Sequence, residues 1–202
     1  MYKEMRALQF RTHCCVYRPY RPMVTWVYKN VYFNFCDNTK EVSYNNYKAI
    51  QVINLHKSSP PVECVHEIGH FLYDQLPEIL QKQLQTKVIQ MCYDVKDITS
   101  FVVQCLATHV SVELYSTLVD SYRILYCLSP ETDWCLVHPL GYGNKHPVHY
   151  ATAEAWASAC VYYILRSREA VPTVMQSFFK LCKECLQWLD KNKVHHRSKK
   201  LV

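Results

Sequence analysis

His66-Glu67-Ile68-Gly69-His70 is the stretch on which the reading of this chain turns. Two histidines at i and i+4, with a glutamate directly after the first, form the half-site of a zinc hydrolase. On a helix the two imidazoles lie one turn apart on the same face. Both can then reach one zinc ion at roughly 2.0–2.1 Å, with Glu67 placed to take a proton from the water that the ion binds. The chemistry that pattern serves is hydrolysis of a peptide bond.

The flanks fit a helix emerging from a sheet. Ala49 to Leu55 alternates loosely and is rich in β-branched residues, so it reads as a strand. Lys57-Ser58-Ser59-Pro60-Pro61 then punctuates the chain, and Pro61 suits a first helical turn, where a missing N–H costs nothing. Val62, Val65, Ile68 and Leu72 supply an apolar flank beside the histidines, which places the ligands at the border of a core. Gly69 costs about 1 kcal/mol of helix propensity relative to alanine. In a chain with only 3 glycines, one spent mid-helix implies close approach by another backbone or by substrate.

Composition permits an enzyme. With 202 residues, half of them apolar, the chain can bury a sizeable core in one domain. No apolar run is long enough to cross a membrane, and Met1-Tyr2-Lys3-Glu4-Met5-Arg6 leads into no signal-peptide core, so the expected location is cytoplasmic. The 11 cysteines are odd in number and irregularly spaced, which favours reduced, mostly buried thiols over a disulfide framework. Cys182 and Cys185 have CxxC spacing but lie on an amphipathic helix with no second pair nearby, and a structural role is expected for them. Part of the net charge of +6 is local to the end of the chain. Residues 1–190 are expected to form one domain and 191–202 a flexible basic tail, solvated or in weak contact with an anionic partner.

The layout reads as α+β, with a small N-terminal sheet and a mostly helical C-terminal part that holds the motif helix. Met23-Val24-Thr25-Trp26-Val27-Tyr28 and Val31-Tyr32-Phe33-Asn34-Phe35 look like strands separated from later ones by the turn residues Asp37-Asn38. Residues 77–93, with Leu80, Leu84, Val88 and Met91 at helical spacing, read as a helix, and 98–118 continues in the same style. Residues 128–149 read as a loop, while 151–165 and 172–189 read as helices, the last begun by Pro172.

A catalytic zinc takes three protein ligands and leaves one position for water, so a third ligand must come from later in the chain. Glu154 fits best. It lies beside Trp156, Ala157, Ala159 and Cys160, where a buried carboxylate would need a partner such as a metal. His109 and Glu113, on the 98–118 segment, are the rivals.

The string Val65-His66-Glu67-Ile68-Gly69-His70-Phe71-Leu72, followed by Tyr150-Ala151-Thr152-Ala153-Glu154-Ala155-Trp156-Ala157-Ser158-Ala159, resembles the lethal-factor-type zincins, which include the Pro-Pro endopeptidases. The resemblance implies that Glu154 is the third zinc ligand, with Trp156 and Ala157 matching the family's aromatic and alanine, and with Ser158 in place of a second glutamate. Ala170-Val171-Pro172 and Phe178-Phe179 resemble the family's closing helix. The family's oxyanion-stabilising tyrosine falls about seven residues before the ligand glutamate, where this chain has Pro147. Tyr150, one turn before Glu154, can take that role, and His149, His146 and Tyr142 can do the same job. The gap between the two motifs is also longer than the family's, as an inserted helical pair would make it. The regulator-cleaving metallopeptidases, with an HExxH and a distant glutamate on an alanine-rich helix, are similar to the chain as well.

Together these readings lead to a single-domain zincin-like zinc metalloendopeptidase of the gluzincin type, acting on a protein or peptide substrate. His66, His70 and Glu154 are the expected zinc ligands, Glu67 the general base and then acid, and Tyr150 the donor to the tetrahedral intermediate. The alternative is a non-catalytic protein in which the same side chains hold structural zinc, or form a decayed site, and function lies in partner binding.

Overall fold

The computed structural model describes residues 2–36, 42–47, 50–95, 97–110, 112–122, 125 and 147–194. Helices α1 (Tyr2–Cys15) and α2 (Arg21–Asn30), joined by a 3-10 turn at Arg18–Tyr20, precede the strands β1 (Tyr32–Cys36), β2 (Ser43–Tyr47) and β3 (Ile50–His56). Apart from short connections, the rest of the described chain is helical. It comprises α3 (Pro61–Asp74), α4 (Glu78–Asp94), α5 (Ile98–Ala107), α6 (Val112–Tyr122), α7 (Pro147–Ile164) and α8 (Gln176–Leu189), with a 3-10 turn at Thr173–Met175 and a π-helical extension at Asp190–Val194. This is a mostly helical α+β arrangement with one small mixed sheet. Among the described residues no helix is long and apolar enough to cross a membrane.

β3 is the central strand, parallel to β1 and antiparallel to β2. Phe33, Ile53 and Tyr44 stand side by side on one face and are buried, with Leu55 two residues further along β3. The period-2 alternation puts Asn34, Asn54 and Ser43 on the opposite face. There Asn34 donates to Asn54 (3.0 Å) and Asn54 to Ser43 (3.2 Å), a polar ladder that a one-residue slip would break.

After β3 the chain turns at once. Ser59 N–H donates to the His56 carbonyl, the His56 N–H donates to Ser59 Oγ, and α3 begins at Pro61 as its sequence implies. One side of α3 meets the sheet, where the Tyr44 and Phe71 rings pack edge to face and Tyr44 Oη and Asn46 Nδ2 both donate to Asp74 (3.0 and 2.7 Å). The other side meets α7, which is buried nearly all round and occupies the centre of the helical layer against α3, α4, α6 and α8.

Three sequence expectations need correction. Met23 to Tyr28 is helical, because Met23, Val24 and Val27 share one face at the 3.6-residue period and Pro22 sits in the first turn, so β-branched content misled where spacing did not. The segment 98–118 is two helices, broken at His109, whose φ of 56° leaves the right-handed helical region. Pro147 to His149, read as loop, is the first turn of α7. The rest of the expected 128–149 loop, apart from these residues, and the Asp37-Asn38 turn lie outside the described residues.

The α3–α7 contact explains Gly69. A Cβ built there would lie 2.7 Å from the Ala157 Cα and 3.1 Å from its Cβ. Gly69→Ala should therefore lose about 1–3 kcal/mol to forced separation of the helices, exceeding the propensity of about 1 kcal/mol that alanine returns. Thermal denaturation should show a lowered Tm; an unchanged or raised Tm would contradict the close approach.

Candidate metal centre

Three elements of the motif arrive together because α3 and α7 cross antiparallel. His66 faces Glu154, the Tyr73 ring meets the His149 ring at 5.2 Å, and Val62 shares a hollow with Ser158. His66 Nε2 lies 3.2 Å from His70 Nε2 and 3.2 Å from Glu154 Oε2, while His70 Nε2 lies 3.5 Å from Glu154 Oε1. Donor atoms of His66, Glu67 and His70 all fall within 4.8 Å of one another, the only such group of potential metal ligands among the described residues.

These separations suit a small cation. Ligand atoms held at about 2.0–2.1 Å around a tetrahedral ion stand roughly 3.3 Å apart. With both imidazoles protonated on Nδ1, the two Nε2 lone pairs and the carboxylate face one another at that spacing, and a shared cation would relieve the repulsion. Burial holds the His70 pKa down to about 4, against which the nearby Glu154 and Asp74 charges push upward and His66 downward. His70 is therefore neutral near pH 7, the form that ligates metal. Its Nδ1 is buried with no hydrogen-bond partner among the described residues.

Exposure decides where the site opens. His70 and Glu67 are each 7% exposed, whereas the side chains of His66 and Glu154 are 28% and 38% exposed. Solvent and any substrate therefore reach the centre from the His66 and Glu154 side. Beside that opening, one turn before His66 and one turn after Glu154, lies a hollow of about 190 Å³ lined by Val62, Leu114, Ser158, Val161, Tyr162 and Leu165, among others.

The expected residues fare differently. His66, Glu67, His70 and Glu154 are brought together. Glu154 is not buried as its apolar neighbours suggested, and the register of α7 against α3 is what brings it to the histidines. Tyr150 lies one turn before it on the same face of α7 and is half-buried, with its ring 6.3 Å from that of His149. His109 is exposed at the α5–α6 break and takes no part in the cluster. Tyr142, His146 and the Glu113 side chain lie outside the described residues.

Asp74 is the residue that sequence reasoning overlooked. It follows His70 by one helical turn, its charge acts on that imidazole, and Tyr44 and Asn46 fix its carboxylate. The i+4 spacing was the available signal. Cys64, two residues before His66, is turned elsewhere, its sulfur 3.9 Å from Tyr28 Oη.

No protein-family model matches this chain, and neither a curated protein nor a solved structure matches it significantly.

If these four side chains form one centre, the purified chain should bind close to one zinc ion, lose it to a chelator and regain it on adding zinc. Glu154→Ala should weaken that affinity by about 100-fold or more, beyond what loss of an outer hydrogen-bond partner does. Unchanged zinc affinity in that variant would remove Glu154 from the ligand set.

Proposed function

We propose that this protein is a zinc-dependent metallopeptidase that hydrolyses peptide bonds by metal-activated water. The observation that carries the reading is the convergence of His66 Nε2, His70 Nε2 and the Glu154 carboxylate at 3.2–3.5 Å, with the Glu67 carboxylate within 4.8 Å of the histidine nitrogens. Bound by those three residues, zinc supplies a Lewis acid and lowers the pKa of water toward 7.

The chain's own groups do the rest. Glu67, buried next to the ligands, accepts the proton of the attacking water on its carboxylate and passes it to the leaving amine. Tyr150, on the Glu154 face of α7, donates its hydroxyl hydrogen to the carbonyl oxygen as negative charge develops there. The mostly apolar hollow beside His66 and Glu154 seats a side chain of the peptide and holds the scissile bond in place. The open side of the centre admits an extended chain, while burial of Glu67 keeps bulk water from competing for its proton.

Incubating the zinc-loaded chain with a proteome-derived peptide mixture and reading new termini by mass spectrometry tests this directly. Cleavage should vanish with chelation and return with zinc. Glu67→Gln, which retains shape and both neighbouring ligands, should keep its zinc and lose about 10²-fold or more in turnover. Tyr150→Phe should lower kcat by about 10²-fold with zinc content and fold unchanged. Absence of any zinc-dependent cleavage would favour a non-catalytic zinc protein, and full turnover by Glu67→Gln would place the activity elsewhere.

A further inference from the structure

The hollow beside the metal centre is apolar along its walls and acidic at one end. Val62, Leu114, Val161 and Leu165 supply the walls. Val62 and Ser158, one turn from His66 and from Glu154, form the end next to the centre, whereas Ser167 and Glu169, beyond the end of α7, form the far end. Among the described lining residues Glu169 is the one carboxylate, and none carries positive charge.

The chain folds back to bring Glu169 there. Arg166, at a φ of 57°, leaves the right-handed helical region, and Ser167 N–H then donates to the Tyr162 carbonyl (2.9 Å). Tyr162 Oη donates to the Glu169 carbonyl (2.7 Å), and Glu169 N–H donates to Ser167 Oγ (3.3 Å). Burial raises the Tyr162 pKa and the charge of Glu169 raises it further, so the carboxylate itself stands near the Tyr162 hydroxyl. Arg166 and Arg168 are neighbours in sequence but line no part of the hollow, and the Arg166 guanidinium lies over the Tyr17 ring, 4.7 Å from its centroid. Glu169 has contacts within the chain, yet a carboxylate offers about four acceptor sites, which leaves room for a cation from outside.

We propose that this hollow is the specificity subsite of the metallopeptidase and takes a lysine or arginine side chain of the substrate, with its methylenes against Val62, Val161 and Leu165 and its charged head on Glu169. This assignment rests on the peptidase reading of the metal centre and adds a substrate class to it. A long aliphatic stem that ends in a cation is the side chain that uses both parts of the lining. A purely aliphatic side chain matches the walls and brings nothing to the carboxylate, and an acidic one meets like charge.

Two readouts test the subsite. The first aligns the sites at which the zinc-loaded chain cuts a proteome-derived peptide mixture. Lysine and arginine should be enriched about tenfold over leucine at one fixed position beside the scissile bond, as one charge-assisted hydrogen bond implies. Glu169→Gln should remove that enrichment and Glu169→Lys should turn it toward aspartate and glutamate, with zinc content and melting curve unchanged. The second readout needs no catalysis. Zinc-loaded Glu67→Gln is titrated by NMR with blocked tripeptides that carry lysine, arginine, norleucine or glutamate between two alanines. The lysine and arginine peptides should bind about tenfold more tightly than the norleucine one, and adding Glu169→Gln should abolish the difference. Zinc-dependent cleavage without a basic preference would overturn the subsite and leave the peptidase standing. Equal binding of the lysine and norleucine peptides, or binding of none of them, would also overturn the subsite. Cation-selective binding that depends on Glu169, without any zinc-dependent cleavage, would uphold the cation site and overturn the peptidase reading.

Discussion

Close contact between α3 and α7 is the constraint from which the rest of the structure follows. Gly69 presents bare backbone to Ala157, and its carbonyl accepts a buried hydrogen bond from Trp156 Nε1 at 2.8 Å in addition to its place in the helix. That bond crosses the same interface that Glu154 crosses two residues earlier to meet His66 and His70. A methyl group at position 69 or a bulky residue at 157 would part the helices by about an ångström or more, and metal–ligand bonds tolerate only about 0.2 Å. The alanines at 151, 153, 155, 157 and 159, all buried, keep α7 slender enough to be packed on every side.

α3 is held from its other side as well. The sheet meets it through Phe71 and Tyr44, and the Tyr44 and Asn46 bonds to Asp74 tie its last turn to β2. The polar ladder on the outer face, Asn34 to Asn54 to Ser43, fixes the strand register and so places Tyr44 and Asn46 at the correct height along α3. The helix is thus clamped between a registered sheet and a central helix. Rigidity of that kind is what a constellation of metal ligands requires.

How far the sequence was legible depends on the range of the interactions involved. The motif helix, β3, the helix after Pro77 and the α7 and α8 segments were readable because periodicity and proline positions are local signals. Gly69 was readable because a glycine inside a helix carries a propensity cost that close approach by a neighbouring backbone offsets. The Met23–Tyr28 run was misread since its β-branched and aromatic residues were weighed above the helical spacing of Met23, Val24 and Val27, the face that packs into the core. The break at His109 depends on a single backbone conformation that no composition announces. Glu154 was expected to be buried and is partly exposed, and what sets it beside the histidines is the register of α7 against α3, whereas Asp74 depends on contacts between segments far apart in sequence.

Burial also sorts the chain's own candidate ligands. A thiol binds metal as thiolate, and 11 cysteines would compete for a soft ion if they ionised. Desolvation prevents this at Cys64, pushed up to about 11, at Cys185, pushed up to about 12, and at Cys160 and Cys182, raised well above the ordinary thiol value. The same desolvation moves His70 in the opposite direction, to about 4, because its charged form is the protonated one. Near neutral pH the buried thiols therefore stay protonated while the buried imidazole is neutral, with one ring nitrogen free of a proton. The CxxC pair at Cys182 and Cys185 packs as apolar core on α8, and the histidine nitrogens of α3 would face no ionised sulfur competitor from within these buried positions.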